Sequence, residues 1–251
     1  MRRVLLFALL AACCGTTGSN LVSFQAKAGG PADAASPLVF DTAVGFHVSL
    51  TRATLRIGAV YLNTANPSSG AGATSCVLPG IYVAEAFGPV TVDLLSPALQ
   101  PFPAAGEGTE TQATTAEVWL TGGDVNAPVD PTVIFDVAGT ATKGGATYPF
   151  QGAITISSNR AIPILTPALP GSNPICKQRI VTPIAVDLTP TDGGVLTMRI
   201  DPRGMFPTVD FSTLTGTQIP DSSAGAGGVL FKGLLSNAGV YQFTWSQGVK
   251  P

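Results

Sequence analysis

The chain has 251 residues, 45% hydrophobic and only 11% charged, with 29 glycines, 21 prolines, four cysteines and one histidine. That composition fits a folded domain punctuated by Gly and Pro, and it excludes a charge-rich disordered chain. Thirteen Lys and Arg against fifteen Asp and Glu leave a net charge of −2, so no field gathers nucleic-acid phosphates, and a single imidazole removes most His-based catalytic and metal constellations.

Met1-Arg2-Arg3 is a short basic start, and Val4 to Ala12 is apolar. That stretch is too short to cross a bilayer core of about 30 Å as a helix, so residues 1–12 read as a signal peptide. The run Leu10-Ala11-Ala12-Cys13 resembles the lipobox of bacterial lipoprotein precursors. The resemblance covers only this N-terminal stretch. It implies cleavage before Cys13, a diacylglycerol on its thiol and acylation of the new amino group. Several buried chains, at about 0.8 kcal/mol per CH₂, anchor durably where one alone is marginal. Such a protein resides in the cell envelope, held to a membrane on the periplasmic side or at the cell surface. Ordinary secretion with cleavage elsewhere is the alternative, and Cys14 has no assigned role. Residues 15–37 are small, polar and rich in Gly, Ala and Pro, so 13–37 reads as a lipidated flexible tether.

Residues 38–251 alternate short apolar, β-branched segments with Gly/Pro/Ser/Asn/Asp clusters, and no long stretch follows the 3.6-residue helical period. The pattern predicts an all-β body with strands at 44–50, 54–62, 81–86, 90–95, 117–120, 132–137, 150–156, 180–188, 195–200, 228–234 and 240–245. Roughly ten to twelve short strands point to a single antiparallel β-sandwich, because one open sheet leaves a large apolar face exposed. In 54–62, Leu55, Ile57, Ala59 and Tyr61 share one phase and Arg56 and Gly58 the other, with Val60 and Leu62 blurring it. Asp201-Pro202-Arg203-Gly204 matches type I turn preferences, and Asp192-Gly193-Gly194 is a second turn.

Loops at 63–80, 96–108 and 166–174 are rich in Pro and Gly. Cys76 lies in the first of these and Cys176 just after the third. In an oxidising compartment a Cys76–Cys176 bridge would close a long segment, a constraint that stabilises by about 4–5 kcal/mol in the chain-entropy model. That bridge favours one domain over two; two separate buried thiols are the alternative.

The sequence lacks a GxSxG elbow, an SxxK pair, an HExxH helix, a CxxC site and a Walker loop. His47 is the only imidazole available to a Ser–His–Asp arrangement, and no serine sits in a nucleophile turn. Met198 and Met205 flank the Asp201 turn and with His47 form the one conceivable soft copper set, although methionine is more often core filler. Asp124, Asn126 and Asp130 resemble the start of a calcium loop, but Pro128 stands where an oxygen ligand is needed. Acidic residues fall singly at turns. Tyr61, Tyr82, Trp119, Tyr241 and Trp245 could make a platform for sugar rings, with a core role the stronger reading. The sequence therefore points to a lipid-anchored envelope protein acting as a non-enzymatic binding or structural module, with no cofactor, no metal site and no nucleic-acid partner. Its one implied partner is the membrane, reached through the lipid anchor, and no protein or carbohydrate partner is specified. A copper-handling protein is the alternative, and a hydrolase without a known motif stands behind it.

Overall fold

A computed structural model of the chain describes residues 19–65, 81–120, 130–156 and 179–248. The four cysteines, Cys13, Cys14, Cys76 and Cys176, lie outside the described residues, as do Asp124 and Asn126; Asp130 is described in its backbone alone.

Among the described residues the body is mostly β, and twelve strands form one continuous mixed sheet. They are β1 (Leu21–Gly29), β2 (Leu38–Asp41), β3 (His47–Asn63), β4 (Tyr82–Asp93), β5 (Gln100–Pro101), β6 (Gly106–Thr109), β7 (Ala113–Trp119), β8 (Asp130–Lys143), β9 (Ala146–Ile156), β10 (Ile180–Leu188), β11 (Val195–Ile200) and β12 (Tyr241–Ser246). The main path runs β10-β7-β3-β4-β6-β1-β11-β12. All pairs are antiparallel except β1 with β11, so the expected purely antiparallel arrangement gives way to a mixed one.

The organising element is β3, 17 residues long. Its first half pairs with β2 on one edge and β8 on the other, and its second half pairs with β4 and β7. Residues 54 and 55 pair with both β4 and β8, so β4 continues the edge begun by β2, and β7 continues the edge of β8. In the same way β9 lies beside β8 and β10 beside β7. At the far end the sheet curls until its outermost strands meet, where Asn237 Nδ2 donates to Pro183 O of β10 at 2.7 Å.

Two expected strands, 44–50 and 54–62, are thus one strand with a register shift between Leu50 and Arg52. Likewise 81–86 and 90–95 are both parts of β4, interrupted by a bulge against Ile57 and Ala59. At that bulge Gly88 packs so closely on β3 that a Cβ would lie 2.5 Å from Ile57 O.

The expected tether is corrected over most of its length. β1 buries Val22, Phe24, Ala26 and Ala28 and exposes the residues between, with Lys27 half-buried. The following loop is clamped to the body. The Arg203 guanidinium donates to both carboxylate oxygens of Asp33, at 2.8 and 3.0 Å, and to Asp201, while Arg199 donates to Gly30 O and Pro97 O. These charge-assisted bonds hold the Asp33 carboxyl below its ordinary range and push the Arg203 guanidinium up, mainly through Asp201.

The segment 228–234 is also corrected: it belongs to a helix, α1 (Gly225–Leu234). Ala226, Leu230 and Leu234 share its buried face. Its glycines serve close approach, because a Cβ at Gly227 would lie 1.8 Å from Pro220 O and one at Gly233 2.0 Å from Met205 O. The Asp201 turn opens a 3-10 turn, Pro202–Met205, in which Asp201 accepts from Arg203 N. This helical excursion between β11 and β12 packs Phe206 and Phe211 against Phe40, Phe46, Phe135 and Phe150. One apolar core extends from β1 to β12. Among the described residues no helix is long and apolar enough to cross a membrane.

Candidate ligand-binding face

The buried alternation along β3 switches faces between Ile57 and Val60, where its register against β4 shifts. Leu55 and Ile57 point into the core, as do Val60 and Leu62, whereas Ala59 and Tyr61 belong to a separate cluster with Trp119 and Ile180. The single phase expected for Leu55, Ile57, Ala59 and Tyr61 is therefore broken after Ile57, at the register shift against β4. The consequence is an aromatic cluster outside the main core. The Tyr61 ring meets Tyr82 at 5.2 Å, Phe87 at 6.0 Å and Trp119 at 5.3 Å between centroids, edge-on or tilted in each case.

Register places these rings in a grid with carboxylates. Tyr61 lies opposite Glu117 of β7 on one side and Glu85 of β4 on the other. Glu85 lies opposite Glu107 of β6, which in turn lies opposite Ser23 of β1. Glu117 is wholly buried. It accepts from Trp119 Nε1 at 3.1 Å and from Asn63 Nδ2 at 3.3 Å. Burial raises its pKa, because desolvation of the carboxylate outweighs these two bonds. Asn63 is also wholly buried, and its Oδ1 has no hydrogen-bond partner among the described residues. Burial, with the nearby Glu85 and Glu117 charges, raises the Tyr61 phenol, and burial, then Glu117 and Tyr61, pushes Tyr82 up to about 12.

Beside this grid lies an open groove of about 650 Å³, floored by β6 and walled by the starts of β1 and β4. The carboxylates of Glu85, Glu107 and Asp192 line it, and Leu21 and Tyr82 form its lips, 85% and 38% exposed. Asp192 is held there by accepting from Ser23 N at 3.1 Å. β6 can form this floor because it is short and carries Gly106 and Gly108, where added Cβ atoms would strike Phe24 and Ala84. Its outward residue Glu107 is exposed.

Other residues singled out in the sequence are placed elsewhere. His47 is exposed at the opposite end of β3, with Nδ1 2.8 Å from Asp41 Oδ1. No hydroxyl is hydrogen-bonded to its ring among the described residues, so a His–Asp pair is assembled without the nucleophile a triad needs. Met198 on β11 and Met205 are buried in the main core while His47 faces out, so the three do not converge into a copper set. Among the described residues no group of three or more His, Cys, Asp or Glu side chains could hold a metal ion. Tyr241 is a core residue whose hydroxyl donates to Leu234 O at 2.8 Å, and Trp245 packs on Phe24. Of the five aromatics considered as a sugar platform, Tyr61, Tyr82 and Trp119 do gather, joined by Phe87. Their rings are mutually tilted and do not form a flat shelf. Phe87 and the Glu85–Glu107 pair went unnoticed in sequence because only the strand register brings them to this face. No family model matches this chain, and comparison with curated proteins and with solved structures finds no relative.

Proposed function

We propose that the chain is a lipid-anchored cell-envelope protein whose body works as a binding module rather than an enzyme. The Leu10-Ala11-Ala12-Cys13 run supplies the anchor. The bent sheet, with its arms facing each other across the shared core, is in this reading a sandwich-like scaffold that a Cys76–Cys176 bridge staples. The observation that carries the binding role is the open groove beside the Tyr61 cluster: a concave site in which carboxylates and exposed apolar side chains converge.

The test begins with mass spectrometry, without reduction, of the full chain expressed in a bacterial host, comparing wild type with Cys13→Ser. A wild-type N-terminus at Cys13 with added acyl mass, absent from the variant, and a linked Cys76–Cys176 peptide support the envelope reading. An unprocessed N-terminus with free thiols overturns it. A thermal-shift screen of the full chain against small cations, anions and neutral sugars tests the binding role. That role fails if no ligand raises Tm.

A further inference from the structure

Deepening the lipid-anchored reading, on which it rests, we infer that the end of the sheet carrying Leu21, Ile81 and Tyr82 docks on a zwitterionic phospholipid surface, with its apolar side chains at headgroup level.

The two large apolar side chains most open to water among the described residues are Leu21 and Ile81, 85% and 66% exposed. They belong to one end of the sheet. Leu21 lies opposite Thr109 of β6, the Thr109 hydroxyl donates to Val83 O at 3.4 Å, and Val83 follows Ile81 and Tyr82 in the chain. Leu21 and Tyr82 also border the same groove. Tyr82 continues the apolar surface inward: its ring meets Tyr61, which in turn meets the exposed Phe87. Apolar side chains exposed singly are ordinary, whereas a contiguous group of them marks an interaction site.

What covers this end follows from where the chain enters the sheet. Cys13 precedes Leu21 by eight residues, so an acylated Cys13 brings a bilayer to the strand end where the two most exposed apolar side chains stand. Tethering gives that encounter a high effective concentration, and a contact too weak to hold a free protein then suffices. A half-exposed phenol beside two aliphatic side chains fits the interface, where the ring sits among headgroups and the hydroxyl stays wet. The other end of β3 instead presents Asp41, His47, Thr142, Lys143 and Thr147 around a polar hollow.

The charges decide which bilayer is met. Glu85, Glu107 and Asp192 line the groove that Leu21 and Tyr82 border, and none of its lining residues is Lys, Arg or His. An anionic leaflet repels carboxylates that come within a Debye length of it. A zwitterionic surface carries no net charge and lets the apolar groups seat, so that the groove opens at headgroup level.

The experiment is fluorescence quenching by brominated phosphatidylcholine of the full lipid-bearing chain in vesicles. Ile81→Trp reports on the apolar end, Thr147→Trp on the far end, and wild type gives the background of Trp119 and Trp245. Expected is loss of about half or more of the emission added by Ile81→Trp, with Thr147→Trp quenched no more than wild type. Adding Leu21→Glu to Ile81→Trp should reduce the quenching about twofold or more while leaving Tm in place, because Leu21 is exposed. Replacing half of the lipid by phosphatidylglycerol should also reduce it at low salt, and high salt should restore it. Vesicles that float with the protein while Ile81→Trp is quenched no more than Thr147→Trp overturn the docking alone. So does quenching that Leu21→Glu leaves unchanged, and quenching that rises with anionic lipid overturns the zwitterionic preference. A chain that does not float with vesicles overturns the anchor and the docking together.

Discussion

The two halves of β3 share one strand and antiparallel neighbours on both edges, yet their outer faces differ in kind. The first half presents His47, Ser49 and the exposed Arg52–Asp136 pair, a polar surface open to water. The second presents Ala59, Tyr61 and Asn63 against Trp119 and a buried carboxyl. The inner faces of both halves are equally apolar. A stretch of backbone can therefore serve as scaffold along its whole length while one register shift, at Ile57–Ala59, decides which part also displays chemistry.

If this division is right, the largest effects should be equal in the two halves. Leu50→Ala and Leu62→Ala each remove a fully buried side chain, and each should cost about 2–5 kcal/mol in urea unfolding. A mild Leu62→Ala would mean that the alternation does not invert. On the outer faces the halves should separate. Tyr61→Ala strips the ring that three others contact and should cost about 2 kcal/mol, whereas His47→Ala, exposed at the other end, should stay within about 0.5 kcal/mol.

A smaller and sharper difference is carried by pH. Glu117 has a raised pKa in the folded protein, so its neutral form stabilises the fold fully below its unfolded value of about 4.3, and this contribution is lost as pH rises through the folded value. Glu117→Gln, neutral throughout, should gain stability relative to wild type across that interval and then hold a constant advantage. Tm measured against pH for the two proteins reads this directly. A difference that is flat or shrinks with rising pH would show that Glu117 is not held neutral by burial.

The strand pattern was legible where inner residues are large, as in Ile180–Leu188 and Val195–Ile200. It failed in β1 because Ala26 and Ala28 fill inner positions with little hydrophobic contrast, and Gly29 and Gly30 follow them. It failed at α1 because Val229 and Phe231 have strand-like propensity and four glycines weaken the helical signal, while backbone packing at Gly227 and Gly233 accommodates the helix. Tyr61, Tyr82 and Trp119 were visible as residues, but core placement was the stronger reading, since a bulge at Gly88 cannot be inferred from the alternation it interrupts. The Glu85–Glu107 pair depends on two non-consecutive strands choosing one register, information that no local window contains.

The early start of β1 sets a leash length. Leu21, where the sheet begins, comes only eight residues after Cys13, a reach of about 26–29 Å even when fully extended. With Cys13 lipidated, the body cannot sample the width of an envelope compartment. Under that proposal it would stay beside its membrane, with Leu21 and the groove it borders at the end of the body where the leash is attached. A ligand released at the bilayer surface would then have a shorter path to the site than one arriving from the open side, and the local concentration of the groove would be set by the area of membrane rather than by the volume of the compartment.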